Sequence, residues 1–271
     1  MDQPESMGRL LPVLYSPVFM SRILVTNDDG IRSDGLESLA VALEELGDVV
    51  AVAPLLESSA ISHSLTLRRP LRLERIAPQR YAVDGTPADC VNVALVKLLG
   101  GLPDVVVSGI NKGANVGDDV FYSGTIAGAM EATLLGIPSL AISLERTANP
   151  FNFSQACSVA VSLTKSVLSE RLPERTVLNV NVPERPAKGV RITVQGRRNP
   201  VASLADRLDP REEPYYWIQQ GKAHWEEMEH SDHYALAGGW ISITPLQSDL
   251  TNHAALELIA DLSRTRSTEV E

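Results

Sequence analysis

Cysteine is scarce in this chain: its 271 residues contain two, Cys90 and Cys157. They form no CxxC pair and no zinc-type spacing, so a disulfide framework and a thiolate zinc site are both excluded. They read as buried thiols in a reducing compartment, and the cytoplasm is the expected location. Positive charge is also in short supply. With 24 Lys and Arg against 34 Asp and Glu, the net charge is -10. A nucleic-acid polymer or an anionic membrane surface would be repelled by it. No apolar run is long enough to span a bilayer. His224, His230, His233 and His253 lack metal-binding spacing. His63, alone in a polar loop, reads more readily as a hydrogen-bonding residue than as a general acid. P-loop, GxGxxG and GxSxG patterns are missing, which weakens nucleoside-triphosphatase, dinucleotide and serine-hydrolase readings. Internal repeats and low-complexity tracts are missing too.

What remains is ordinary in bulk: 44% hydrophobic and 21% charged residues, enough for one large domain with or without an appendage. Residues 1–20 contain an apolar run from Leu10 to Met20. Asp2 and Glu5 outweigh Arg9, prolines interrupt the run and no small-residue cleavage site follows, so a loose extension is expected rather than a signal peptide.

The most informative stretch is Arg22-Ile23-Leu24-Val25-Thr26-Asn27-Asp28-Asp29-Gly30. Ile23 to Thr26 fit a strand buried on both faces. It ends in an amide, two carboxylates and a glycine, and Leu36, Leu39, Ala40, Leu43 and Leu46 then recur at helical spacing, with Gly47 as the expected stop. The acids therefore stand at the carboxyl end of a strand, where open parallel sheets bind ligands. Two adjacent carboxylates stay ionised together only beside positive charge, which favours a divalent cation over a helix cap.

Further along, Val49 to Pro54 and Asp104 to Gly109 are expected as buried strands, as are Ser139–Leu144 and Val177–Val182. Helices are expected at Ala88–Leu99, from Ser123 to Leu135, at about Phe153–Ser169, and at Ala254–Leu262. Leu65 to Ile76 suggests a hairpin-like excursion, and Ile241–Pro245 one more strand. Strands alternating with helices imply an α/β fold with a mostly parallel sheet covered on both faces. Right-handed crossovers bring the loops after Thr26, Ala53 and Ser108 to one edge. There Asp28 and Asp29, the hydroxyls of Ser58 to Ser64, and the Asn111 amide make a hard oxygen set, suited to Mg²⁺ or Mn²⁺ rather than Zn²⁺. Ser123-Gly124-Thr125 opens a helix, where bare N–H groups form an anion seat, although a simple N-cap is the plainer role. From 195 to 240 the chain turns rich in acids, prolines and aromatics and holds all three tryptophans. Such a segment covers its own core or docks on another subunit.

Several of these stretches together resemble the SurE survival-protein family. They are Arg22–Gly30 with Gly35, Ala53-Pro54 with Ser59 and Ser64-Leu65-Thr66, and Gly85-Thr86-Pro87 with Asp89-Cys90-Val91. Val107 to Asn111 with Gly113 and Asn115, Gly117 to Val120, Tyr122 to Thr125, Leu178 to Pro183, and Thr244 to Leu246 with Asp249 to Thr251 extend the match. The resemblance implies a Rossmann-like core at 21–194, a protruding arm at 195–240 that builds a homodimer or homotetramer, and a closing strand and helix at 241–271. It implies a metal-dependent phosphatase of nucleoside 5′-monophosphates, some members also cleaving 3′-nucleotides or short polyphosphate. One Mg²⁺ or Mn²⁺ per subunit is expected on Asp28, Asp29, Ser59 and Asn111, with the aspartates also catalytic. Phosphate is expected on Ser123, Gly124 and Thr125, with Asn115 in the substrate-binding set. Two departures stand out: His63 occupies a position where the family often has Asn, and Ala60 replaces a common Gly. A haloacid-dehalogenase-type phosphatase is discounted, because it needs two aspartates one residue apart. A non-catalytic metal- or nucleotide-binding sensor is the alternative from another class.

Overall fold

The computed structural model describes residues 20–146, 150–199, 202–220 and 224–260. In chain order the strands and helices are β1 (Ser21–Thr26), α1 (Asp34–Leu43), β2 (Gly47–Pro54), β3 (Leu73–Ala77), β4 (Arg80–Val83), α2 (Pro87–Val93), β5 (Val105–Lys112) and α3 (Gly124–Leu134). They continue with β6 (Ser139–Leu144), α4 (Ser154–Ser169), β7 (Thr176–Val182), β8 (Val190–Ile192), β9 (Arg198–Asn199), β10 (Ala202–Leu208), β11 (Pro214–Gln220), β12 (His224–Trp225), α5 (Asp232–Ala237) and β13 (Ile241–Gln247).

One sheet carries nine strands in the order β3-β4-β2-β1-β5-β6-β7-β13-β8. Neighbours from β4 through β7 run parallel. β3 is antiparallel at one edge, and β13 lies antiparallel to β7 and parallel to β8. The expected mostly parallel α/β fold is therefore present.

β1 shows why the sheet centres where it does. Ile23 and Val25 pack with α1 and α4 on one face, while Leu24 packs with α2 and Ala132 of α3 on the other. All three are at most 1% exposed, which stabilises by about 1.5–3 kcal/mol each. Leu36, Leu39, Ala40 and Leu43 face inward at their helical spacing.

Some expectations move. Gly47 does not stop α1; it opens β2, pressed so closely against Ser21 that a Cβ would meet the Ser21 carbonyl oxygen at 2.0 Å. The hairpin lies later than Leu65–Ile76, formed by β3 with β4. The helix opening at Pro87, capped by a reciprocal Thr86–Asp89 box, turns into a wider π-helical stretch at Ala94–Leu99. Near the end a 3-10 turn at His253–Ala255 precedes helical residues 256–260, and Leu262 of the expected closing helix lies outside the described residues, as do residues 1–19. Within 195–240, β10 and β11 form an antiparallel hairpin whose flanks, β9 and β12, also pair. Tyr216, Trp217 and Ile218 are 61%, 65% and 88% exposed; since successive strand residues point to opposite faces, both faces of this hairpin are bare.

Candidate active site

The carboxyl end of β1 continues into a loop closed by its own amide. Gly30 N–H donates to Asn27 Oδ1 and Asn27 Nδ2 donates to the Gly30 carbonyl, both at 3.2 Å. Gly30 has φ +96°, a conformation that side chains resist. Asp28 and Asp29 project from this clasp. They do not cap the following helix: α1 starts at Asp34 behind Ser33.

Asp28 is 4% exposed, and burial, reinforced by the Asp29 charge, raises its pKa to about 6 against the pull of the Thr125 hydroxyl and nearby amides. That hydroxyl donates to Asp28 Oδ1 at 2.6 Å. Gly124 is the point of closest approach, since a Cβ there would lie 2.7 Å from Asp28 Cβ and 2.9 Å from Oδ2. Ser123 has the plainer role of N-cap, accepting from Ile126 N–H at 3.1 Å. The positive end of α3 is thus aimed at the Asp28 carboxylate.

Asp29 is half-buried, and burial raises its pKa, while the backbone N–H and ammonium of Lys112 draw it down and the Glu57 charge pushes it up. Its Oδ2 is buried without a hydrogen-bond partner. The loop after β2 joins through Ser58 N–H, which donates to the Asp28 carbonyl at 2.8 Å. Ser59 Oγ donates to Glu57 Oε1 at 2.7 Å. Asn111 Nδ2 donates to the Gly113 carbonyl at 2.9 Å, and among the described residues no hydrogen bond engages its Oδ1.

The fold thus gathers Asp28, Asp29, the Ser58-Ser59 turn, the Asn111-Lys112 end of β5 and the start of α3 at one edge. Asn115 sits apart in a buried amide cluster. Its Nδ2 donates to Ser143 Oγ and its backbone N–H to Asn181 Oδ1, each at 2.8 Å, and Asn179 and Asn181 donate to its carbonyl. Glu57, a third carboxylate at this edge, was not singled out from the sequence; an acid beginning a hydroxyl-rich loop was the available signal.

A second group that sequence reasoning missed holds the loop after Asn111. Asp232, fully buried at the start of α5, accepts from Gly117 N–H at 2.8 Å, Gly196 N–H at 2.9 Å and His233 N–H at 2.7 Å. Arg198 N–H donates to Asp118 Oδ2, and its guanidinium pairs with Asp119 at 3.0 Å. Trp225 stacks on His233 with centroids 3.9 Å apart and covers Gly117.

Among the described residues no three His, Cys, Asp or Glu side chains gather as a metal cluster. A cation here would rest on two carboxylates and neutral oxygens. The unpartnered Asp29 Oδ2, the uncommitted Asn111 Oδ1 and two crowded carboxylates fit a hard divalent ion.

The family profile described as "Survival protein SurE" matches residues 23–201. The chain belongs to the SurE family. It is 50% identical over 238 residues to the 5′-nucleotidase SurE of Geobacter metallireducens (strain ATCC 53774 / DSM 7210 / GS-15), covering 87% of this chain and 94% of that protein. It is likewise 50% identical over 240 residues to the 5′-nucleotidase SurE of Pelobacter propionicus (strain DSM 2379 / NBRC 103807 / OttBd1), covering 88% and 97%. The crystal structure of the SurE protein from Aquifex aeolicus superposes with a TM-score of 0.79 at 42% identity, over 89% of this chain and 99% of that one. The SurE match thus includes both aspartates, the Ser59 loop and the start of α3.

Proposed function

We propose that this chain is a divalent-metal-dependent phosphomonoesterase that hydrolyses nucleoside 5′-monophosphates to nucleoside and phosphate, with 3′-nucleotides and short polyphosphate as further substrates. One observation carries the reading: two crowded carboxylates, one with a buried unpartnered oxygen, sit against a helix N-terminus. An anionic ester could not approach that helix beside Asp28 without positive charge between them. The 5′-nucleotidase relatives supply the substrate class.

In this reading Asp28, Asp29, Ser59 and Asn111 hold one Mg²⁺ or Mn²⁺. When bound, the ion supplies Lewis acidity toward a phosphoryl oxygen and lowers the pKa of a water. The start of α3 at Ser123, Gly124 and Thr125 faces the phosphoryl oxygens and stabilises charge that builds on them, with Thr125 also holding Asp28 through its N–H and hydroxyl. Thr125 Oγ fixes the Asp28 rotamer, and the Asn27 clasp keeps the pair rigid. Asn115, tied to Ser143, Asn179 and Asn181, holds the loop after Asn111 in place and so acts on the substrate through that loop. Water attacks phosphorus, the P–O bond to the nucleoside breaks, and the departing oxygen takes up a proton. Asp28, wedged against Gly124 and bonded to Thr125, is poorly placed to be the nucleophile, so no aspartyl-phosphate is expected on Asp28.

The bare hairpin β10–β11 is the surface through which we expect the chain to form a homodimer or homotetramer. Among the described residues no helix is long and apolar enough to cross a membrane. Burial raises the pKa of both cysteine thiols, keeping them unreactive. Both features fit a cytoplasmic enzyme.

The test is phosphate release from nucleoside monophosphates with Mn²⁺ or Mg²⁺, before and after chelation. Turnover is expected to vanish with chelator, to return with metal, and to fall at least 10³-fold in Asp29→Asn with the fold unchanged by circular dichroism. Release that survives chelation would overturn the metal's role.

A further inference from the structure

Glu131 is a buried carboxylate that the chemistry above leaves unused. It stands two turns into α3, 8% exposed, with both oxygens engaged. Oε1 accepts from Asn92 Nδ2 at 2.7 Å, and Oε2 lies 2.6 Å from His63 Nε2. Asn92 is itself fixed, donating to the Ala88 carbonyl one turn back in α2. The hydrogen bond from His63 is the largest influence holding Glu131 below the usual carboxylate range, against the burial that raises it.

His63 belongs to the loop that presents Ser59, and that loop needs holding. Ala60 and Ser62 adopt φ +55° and +56°, unfavourable for residues with a Cβ. Ser58 N–H is tied to the Asp28 carbonyl at the start of the loop. Ser62 is tied in the middle, by its N–H to the Tyr122 carbonyl and by its hydroxyl to the Phe121 carbonyl at 2.6 Å. At the far end Thr86 Oγ1 donates to the Ser64 carbonyl. Among the described residues, His63–Glu131 joins the loop to the body of α3 through a carboxylate, and hydrogen bonds to an ionised group are the stronger kind.

We propose that Glu131 is a positioning residue: through His63 it latches the Ser59 loop onto α3, so that the Ser59 hydroxyl stays beside the Asp28–Asp29 pair. This rests on the reading of Ser59 and the aspartates as cation ligands. His63 acts here by where it holds the loop, and any side chain that bonds Glu131 at that distance would serve. Gln reaches about as far as the imidazole Nε2 and can donate to a carboxylate.

The experiment measures Mn²⁺ affinity of the substrate-free protein by electron paramagnetic resonance, and amide exchange of residues 57–66 in the metal-free protein by mass spectrometry. His63 is partly exposed on a loop, so His63→Ala is expected to fold with little change in Tm. Its Mn²⁺ dissociation constant should rise about tenfold, and exchange in 57–66 should accelerate about tenfold. His63→Gln should recover both to within about threefold of wild type. Glu131→Gln should weaken Mn²⁺ binding in the same direction, and should add little when combined with His63→Ala. Unchanged affinity and exchange in His63→Ala would overturn the latch, as would His63→Gln behaving like His63→Ala, or effects of the two sites that simply add. Asp29→Asn serves as the separate control. If it binds Mn²⁺ as wild type does, the cation site itself is wrong; if it loses Mn²⁺ while the His63 and Glu131 variants keep it, the latch alone fails.

Discussion

A carboxylate kept 4% exposed with its pKa raised to about 6 is ionised at neutral pH at a cost to the fold. Burial is the main cause, so the metal-free protein carries the penalty wherever Asp28 is charged. The sign follows from linkage: a folded pKa raised above the unfolded value leaves full stability at low pH and removes it as pH climbs through the folded value. The shift is worth about 3 kcal/mol at pH 7.5, about half that near pH 5, and almost nothing towards pH 4. Asp28→Asn keeps an acceptor for Thr125 and discards the charge. Its metal-stripped form should melt several degrees above wild type at pH 7.5, and calorimetry at falling pH should show the gap closing. A constant gap, or none, would place the cost elsewhere. Both aspartates were legible in the sequence because adjacent acids after a short apolar strand have few structural uses. Glu57 was harder to see: an acid beginning a polar loop is common, and only folding the Ser58 turn onto the Asp28 carbonyl brings its charge to Asp29.

Among the elements, α3 was readable from local signals. Gly136 stops the helix at φ +81° and Ser123 caps it, both as their residue types suggest. The loop between Asn111 and Ser123 was readable only as a loop. What gives it shape is Asp232, supplied from more than a hundred residues away, together with Arg198 and Trp225. A single sequence carries no trace of such pairings, since each residue looks like an ordinary surface acid, base or aromatic. Asp232→Asn places a donor against one of three buried N–H groups. That should cost about 2–3 kcal/mol, a Tm loss of about 5–10 °C. Because the freed loop adjoins Asn111 and Ser123, kcat should fall more than the stability loss explains at 25 °C, where the variant remains folded. A variant with lowered Tm and full kcat would show that the loop holds its shape without the clamp.

On the scale of the whole molecule, the alternation of strands and helices between Arg22 and Val182 was plain, because buried parallel strands are almost uniformly apolar. The hairpin was visible as an aromatic cluster but not as strands: Tyr215, Tyr216 and Trp217 in a row have no period-two pattern. Two bare strands are marginal in water without a partner. Joining Asn199 to His224 by a short Gly-Ser turn preserves the β9–β12 pair and removes the exposed apolar surface. Light scattering should then find a smaller species than wild type, with Mn²⁺ affinity kept. Identical masses would remove the hairpin from assembly.

The place of β13 has a bearing on synthesis. This strand comes late in the chain, yet it lies between β7 and β8 and makes β8's sole ladder among the described residues. A nascent polypeptide ended by a frameshift before residue 241 would keep Asp28, Asp29, Ser59, Asn111 and α3, but would expose a vacant berth flanked by bare backbone. Open berths of that kind recruit foreign strands. Errors near the end of the gene should therefore yield inclusion bodies rather than a slightly shortened enzyme.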